Sequence, residues 1–169
     1  MANDELGRIV EIDRSERITQ QYKSRDGLLE LIDVDIDAPA WGQPGGAPVD
    51  YYIDQWTPLL EGGGVLLGAF DGDRLVGFAI YVPSIEEGLA QLAVLHVTRT
   101  HRRKGVGHEL SDEVVRRARE YGAQRLYASA TPTRSTVDFY MAQGFRPLAV
   151  PNVRLYALEP DDIHMELRL

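Results

Sequence analysis

The chain has 169 residues, no cysteine, and 26 acidic against 18 basic side chains, for a formal net charge of −8. That length suits a single domain with a sizeable core. The missing cysteines exclude disulfides, thiolate metal sites and a cysteine nucleophile, and the acidic balance argues against nucleic acid as a general partner.

The first residues, MANDELGRIV, lack the basic-then-apolar pattern of a signal peptide, and no later apolar run is long enough to span a bilayer. A cytoplasmic protein with no membrane partner is expected. Leu6 to Ile12 reads as a first strand, with β-branched Ile9 and Val10. Ile18 to Lys23 and Leu28 to Ile36 read as a hairpin across Asp26-Gly27, a turn signal. A helix over 15–24 is the competing reading. Residues 37–48 are dense in Pro and Gly and form a loop, where Trp41 is either an anchor on the body or a pocket wall. Tyr52, Ile53, Trp56, Leu59 and Leu60 then recur at helical spacing over 49–60, with Pro58 expected to end or kink that helix.

Val65 to Phe70 and Leu75 to Val82 flank a hairpin turn at Asp71-Gly72-Asp73-Arg74, and Pro83 to Gly88 reads as another turn. Leu89 to Thr98 is a strand, nearly continuously apolar from Leu92 to Val97, as in a strand covered on both faces. Val106, Leu110, Val114, Ala118 and Tyr121 make one buried stripe of a helix that Gly122 ends. Arg125 to Ala130 is a strand, so strand, helix and strand form a parallel crossover. A helix over 133–143 ended by Gly144, a strand over 145–150, an irregular or briefly helical 151–160 and a last strand over 163–169 complete the chain. No repeat or linker interrupts it, and one domain over 1–169 is expected.

The chemistry concentrates after the 89–98 strand. His101-Arg102-Arg103-Lys104 is a basic cluster on an acidic chain, followed by Gly105, Gly107 and a new helix. Glycines permit close backbone approach, and a helix start aims free N–H groups and a positive dipole end at an anion. The spacing is not Gly-x-Gly-x-x-Gly, and no Gly-Lys-Ser/Thr occurs, so neither the dinucleotide loop nor the Walker loop fits.

A second element lies downstream: Thr133-x-x-Thr136-x-x-Phe139-Tyr140-x-x-x-Gly144-Phe145. Together with Arg102-x-x-Gly105-x-Gly107 and the preceding Leu95-His96-Val97, it resembles the GNAT superfamily of acyl-CoA-dependent N-acetyltransferases, of the bacterial small-molecule type. The resemblance covers about residues 64–169. It implies an α/β (α+β) fold with a mixed central sheet of about seven strands, splayed between the strands at 89–98 and 125–130 and flanked by about four helices. It implies acetyl-CoA as donor, bound by Leu95, His96 and Val97 along the pantetheine arm. Arg102, Arg103, Lys104, Gly105, Val106, Gly107 and His108 would lie around the pyrophosphate. Thr133 and Thr136 would lie beside the arm, and Tyr140 would act as general acid on the leaving thiolate. No metal is implied. Dimers are common in the family, so a homodimer is admitted.

This chain departs from the family pattern where a base is expected. The frequent glutamate is Gln91, eleven residues before Arg102, and an amide takes no proton. Glu86, Glu87 and His96 are the substitutes, directly or through water. Asp35, Asp37, Trp41, Tyr51, Tyr52 and Gln91 are candidates for holding a cationic acceptor. The expected reaction is transfer of an acetyl group from acetyl-CoA to a primary amine of a small cationic molecule, directly in a ternary complex. A non-catalytic acyl-CoA-binding module is the alternative, and a nucleotide-binding domain that mimics the loop is a third reading.

Overall fold

The computed structural model describes residues 1–169. Its first element corrects the sequence reading. Asn3–Glu11 is a 3-10 helix rather than a strand. Leu6, Ile9 and Ile12 are buried at 4%, 0% and 1% exposure. Their spacing of three matches the three residues per turn of a 3-10 helix, which stacks them on one face.

β1 (Glu16–Arg25) and β2 (Leu28–Ala38) form an antiparallel two-stranded ribbon apart from the main sheet. Asp26 and Gly27 both have positive φ, 52° and 75°, as a tight primed hairpin turn demands. The loop that follows leads into α1 (Val49–Glu61), which carries Pro58 within its last turn without ending there.

The main sheet has six strands: β3 (Val65–Asp71), β4 (Arg74–Glu86), β5 (Leu89–Val97), β6 (Arg125–Ala130), β7 (Arg146–Pro147) and β8 (Ile163–Arg168). Their spatial order is β3-β4-β5-β6-β8-β7. β4 runs on to Glu86, so the predicted turn over 83–88 shrinks to Glu87-Gly88, and the strand expected over 145–150 reduces to two residues. Alternate residues of β3 and β4 face two cores. Leu67, Ala79 and Tyr81 pack with Leu110, Val114 and Ala118 of α2 (Val106–Tyr121) and with Val137 of α3 (Arg134–Ala142). Leu66, Phe78 and Ile80 pack with Leu60 of α1 and with the N-terminal helix. α4 (Val153–Leu158) adds a smaller cluster of Leu155 with Leu89 and Tyr127.

One irregularity in the sheet positions the site. β5 and β6 are parallel and pair only at Leu89–Arg125, Ala90–Leu126 and Gln91–Tyr127. Beyond Gln91 the two strands part. β5 continues paired with β4, and β6 continues paired with β8 as far as Ala130–Ile163. The sheet therefore opens in its middle, and the edge of β5 from Leu92 to Val97 that faces β6 has no strand beside it.

Candidate active site

The opening between β5 and β6 belongs to a cleft of about 1470 Å³. Leu95, His96 and Val97 line it from β5, Arg102, Arg103, Gly105, Gly107 and His108 contribute from the loop and start of α2, and Tyr140 contributes from α3. Antiparallel pairing alternates the direction of backbone groups. The Thr98 amide bonds Val76 O across to β4 at 2.9 Å. Val97 and Leu95, one and three positions earlier, therefore turn their N–H and C=O groups away from β4, into the opening.

The loop before α2 supplies free donors. The Arg102 amide bonds Arg99 O at 3.4 Å, and the next bonded amide is Glu109, to Gly105 O at 3.0 Å. Between them, six successive amides from Arg103 to His108 have no backbone acceptor. Two residues bend the chain to present them: Arg103 at φ 61° and Gly105 at φ 92°. Gly107 lets α2 sit against the Phe139 ring, 3.3 Å from where a Cβ would stand. Such a row of amides at a helix start is an anion cradle.

The basic cluster divides by partner. His101 pairs with Asp71 at 3.2 Å. Arg102 turns inward, donating from Nε to Val97 O (3.2 Å), from Nη2 to Arg14 O (2.9 Å) and from Nη1 to Glu16 (3.3 Å). It braces the loop against β5 and β1. Arg103 and Lys104 are exposed and pair with no carboxylate, and Arg103 lines the cleft while Lys104 and Val106 do not.

Tyr140 is 5% exposed, packed by Phe139 and Phe145 at ring distances of 5.3 and 5.2 Å. Its hydroxyl bonds no protein group, and it reaches the cleft. Burial first, then the nearby Asp162 and Glu159, push its pKa well above the usual phenol value, so it stays protonated at neutral pH. Thr133 caps α3: its hydroxyl accepts from the Thr136 amide at 3.2 Å and donates to the Thr136 hydroxyl at 2.9 Å. Both threonines line the cleft.

His96 stands among aromatic rings, with Trp41, Phe78 and Trp56 at 5.3, 5.5 and 6.0 Å. Burial, then the charges of Arg14 and Arg102, push its pKa down to about 3. It is neutral at neutral pH and a weak base. Trp41 is 8% exposed and lies behind Tyr52, His96 and Arg14 rather than on the cleft wall. Tyr52 and Gln91 do line the cleft. The structure does not bring Glu87 or Asp35 there. Glu87 sits exposed in the turn between β4 and β5, where chain reversal points it to solvent. Asp35 lies on the exposed hairpin and pairs with Arg17. Glu86 is likewise engaged outside, with Arg125 and Asn152.

The family model described as "Acetyltransferase (GNAT) family" matches residues 31–145. The chain belongs to the GNAT acetyltransferase family. Two solved structures share its architecture along nearly the whole length, and a third over part of it. Nourseothricin acetyltransferase superposes with a TM-score of 0.72 at 19% identity, covering 99% of this chain and 95% of that one. A Bacillus anthracis str. Ames protein provisionally assigned as a streptothricin acetyltransferase, solved with acetyl coenzyme A, gives 0.71 at 18% identity, covering 100% and 95%. An aminoglycoside 6'-N-acetyltransferase complexed with coenzyme A gives 0.57 at 19% identity, over 70% and 80%. A search of curated proteins returned no match.

Within this GNAT cleft two groups were missed from the sequence. Arg14 lies over the rings of Trp41 (4.7 Å) and Tyr52 (5.2 Å), held there by cation–π attraction. Asp162 lines the cleft with Glu159 and Asp161, on the connection from α4 to β8. Burial and those two neighbouring carboxylates raise its pKa to about 7. No local pattern marks either residue. Arg14 follows a helix that sequence reading took for a strand, and Asp162 looks like any polar residue ahead of a last strand.

Proposed function

We propose that this GNAT protein is a cytoplasmic N-acetyltransferase that moves the acetyl group of acetyl-CoA to a primary amine of a small cationic molecule. The observation that carries the donor half is the row of six free amides, Arg103 to His108, opening onto the same cleft as the unpaired edge of β5. A pyrophosphate suits the first and an amide-bearing pantetheine arm suits the second. Arg103 adds an unpaired positive charge, and Arg102 keeps the loop in place. Bound there, the donor supplies an activated thioester carbonyl.

The protein's own groups then divide the work. Free N–H groups of the splayed strand, with Val97 among them, stand available for a developing oxyanion. Tyr140, protonated and without an internal partner, is suited to give a proton to a leaving thiolate. His96 is neutral and serves the cleft wall through its aromatic contacts. The acceptor half rests on charge: Glu159, Asp161 and Asp162 line the cleft with no basic partner, which favours a cation. The solved relatives named for nourseothricin and for aminoglycosides are consistent with a polyamine-like acceptor.

The test is thiol release from acetyl-CoA against pooled amines: amino-acid amides, polyamines, aminoglycosides and streptothricin-type antibiotics. Turnover with at least one cationic amine is expected. Binding of CoA with no release for any pool would instead support a non-catalytic acyl-CoA-binding module.

A further inference from the structure

The ladder between β5 and β6 ends at Gln91–Tyr127. Past that pair, strand pairing no longer sets the spacing of the two cleft walls. One segment crosses the gap. On the β5 side, the Asp13 amide donates to the Thr98 hydroxyl at 3.0 Å, and Asp13 O accepts from the Arg99 amide at 2.8 Å. On the β6 side, Gln21 forms an isolated backbone bridge with Thr133, and the Tyr22 amide donates to Pro132 O at 2.8 Å. Residues 13–22 therefore form a strap from the end of β5 to the connection between β6 and α3. Its middle, Arg14 to Ile18, lines the cleft.

Within the strap, Glu16 is the one side chain bonded to both walls. One carboxylate oxygen accepts from Arg102 Nη1 at 3.3 Å, and the other accepts from the Ser135 hydroxyl at 2.7 Å. Arg102 also donates to Val97 O at 3.2 Å, so it is fixed to the free end of β5. Ser135 stands in the first turn of α3, with its hydroxyl 3.0 Å from that of the cap residue Thr133. Glu16, Arg102, Thr133 and Ser135 all line the cleft.

We propose that Glu16 is a positioning residue for the donor. Its carboxylate clasps the loop before α2 to the start of α3, and so fixes the width of the slot that takes the pantetheine arm of coenzyme A. This rests on the acetyl-CoA reading above, in which the arm runs between the edge of β5 and the threonines of α3. A carboxylate suits the task because its two oxygens accept from two separate donors at once. Arg102 is held by two further acceptors, Val97 O and Arg14 O, and Ser135 is held by its helix. With both walls fixed, a ligand entering the slot has less to order, and its binding is tighter for that reason. Without the clasp, the strap remains anchored at Asp13 and at Gln21–Tyr22. The fold persists, but the loop and α3 lose their common tether.

Titration calorimetry with CoA tests this on the whole protein, in wild type, Ser135→Ala, Ser135→Thr, Glu16→Ala and the double variant Glu16→Ala/Ser135→Ala. Ser135→Ala leaves the Arg102–Glu16 pair intact and cuts only the link to α3. It is expected to weaken CoA binding by roughly 3- to 10-fold. Ser135→Thr keeps the hydroxyl and should bind as wild type does. Glu16→Ala should lose at least as much as Ser135→Ala, and adding Ser135→Ala to it should cost nothing further, because the partner is already gone. Wild-type affinity in Ser135→Ala overturns the clasp. So do additive losses in the double variant, or a loss in Ser135→Thr equal to that in Ser135→Ala. If wild type itself binds no CoA, the donor reading fails, and the clasp fails with it.

Discussion

Replacing Arg102 separates two ways in which an arginine can serve an anion site. The guanidinium donates to two backbone carbonyls, Val97 O at 3.2 Å and Arg14 O at 2.9 Å, and pairs with Glu16 at 3.3 Å. Arg102 and Glu16 side chains are 30% and 28% exposed, so each interaction is partly screened. A charged donor to a carbonyl in that setting contributes about 1 kcal/mol, and the exposed ion pair less. Arg102→Ala is expected to lose about 2 kcal/mol, which for a domain of this size lowers Tm by roughly 4–8 °C. Arg102→Lys should lose nearly as much, because a single ammonium cannot reproduce the fork. CoA affinity should fall in both variants, since the loop loses its brace. Arg103→Ala should behave differently: an unchanged Tm, weaker CoA binding and a shallower salt dependence. Differential scanning calorimetry and titration calorimetry decide the matter. If Arg102→Lys keeps wild-type stability and most CoA affinity, Arg102 contacts the ligand as a charge and the bracing argument is refuted.

Tyr140→Phe should reduce turnover by about 10²–10⁴-fold while leaving the calorimetric CoA affinity unchanged, because the hydroxyl has no internal partner to lose. His96→Gln should keep the shape of the pH–rate profile, since His96 does not titrate near neutrality. The same variant should be less acid-sensitive: the folded pKa of about 3 lies below the ordinary 6.5, so wild type loses stability as pH falls from 6.5 toward 3, measurable by melting over that range. Gly105→Ala meets no atom within 4 Å, so its effect is backbone strain alone at φ 92°. A cost of about 1–2 kcal/mol and weaker CoA binding are expected, read by melting and titration.

Much of the fold is legible in local pattern because the pattern and the packing agree. The stripe of Val106, Leu110, Val114 and Ala118 predicts α2, and its inner members are buried as the period requires. Asp26-Gly27 marks the first hairpin through backbone conformations that few other pairs adopt easily. The N-terminal segment fails for a physical reason: β-branched Ile9 and Val10 suggest a strand, but burial of Leu6, Ile9 and Ile12 against α1 and the sheet selects a 3-10 turn. The sheet's extent also differs, because the first hairpin forms a separate ribbon and leaves six strands in the main sheet.

The candidate site divides along the same line. The donor side that we propose is local, a strand, a loop and a helix start in one stretch of sequence, so residue order is enough to suggest it. The rest of the cleft is assembled from distant segments, with Gln91, Arg14, Tyr52 and Asp162 coming from four of them. Asp162 gains its character from burial beside Glu159 and Asp161, a property of the folded surroundings that no spacing encodes. Glu87 and Asp35 had the right functional groups in the wrong places: a turn and a ribbon that face solvent.

Amide hydrogen exchange with and without CoA tests the central claim most directly. The account predicts slowed exchange at Arg103 to His108 and at Leu95 and Val97, whose N–H groups lack backbone acceptors in the free protein, with little change in β3 and β4. Binding without protection in those segments, or no binding at all, would contradict it.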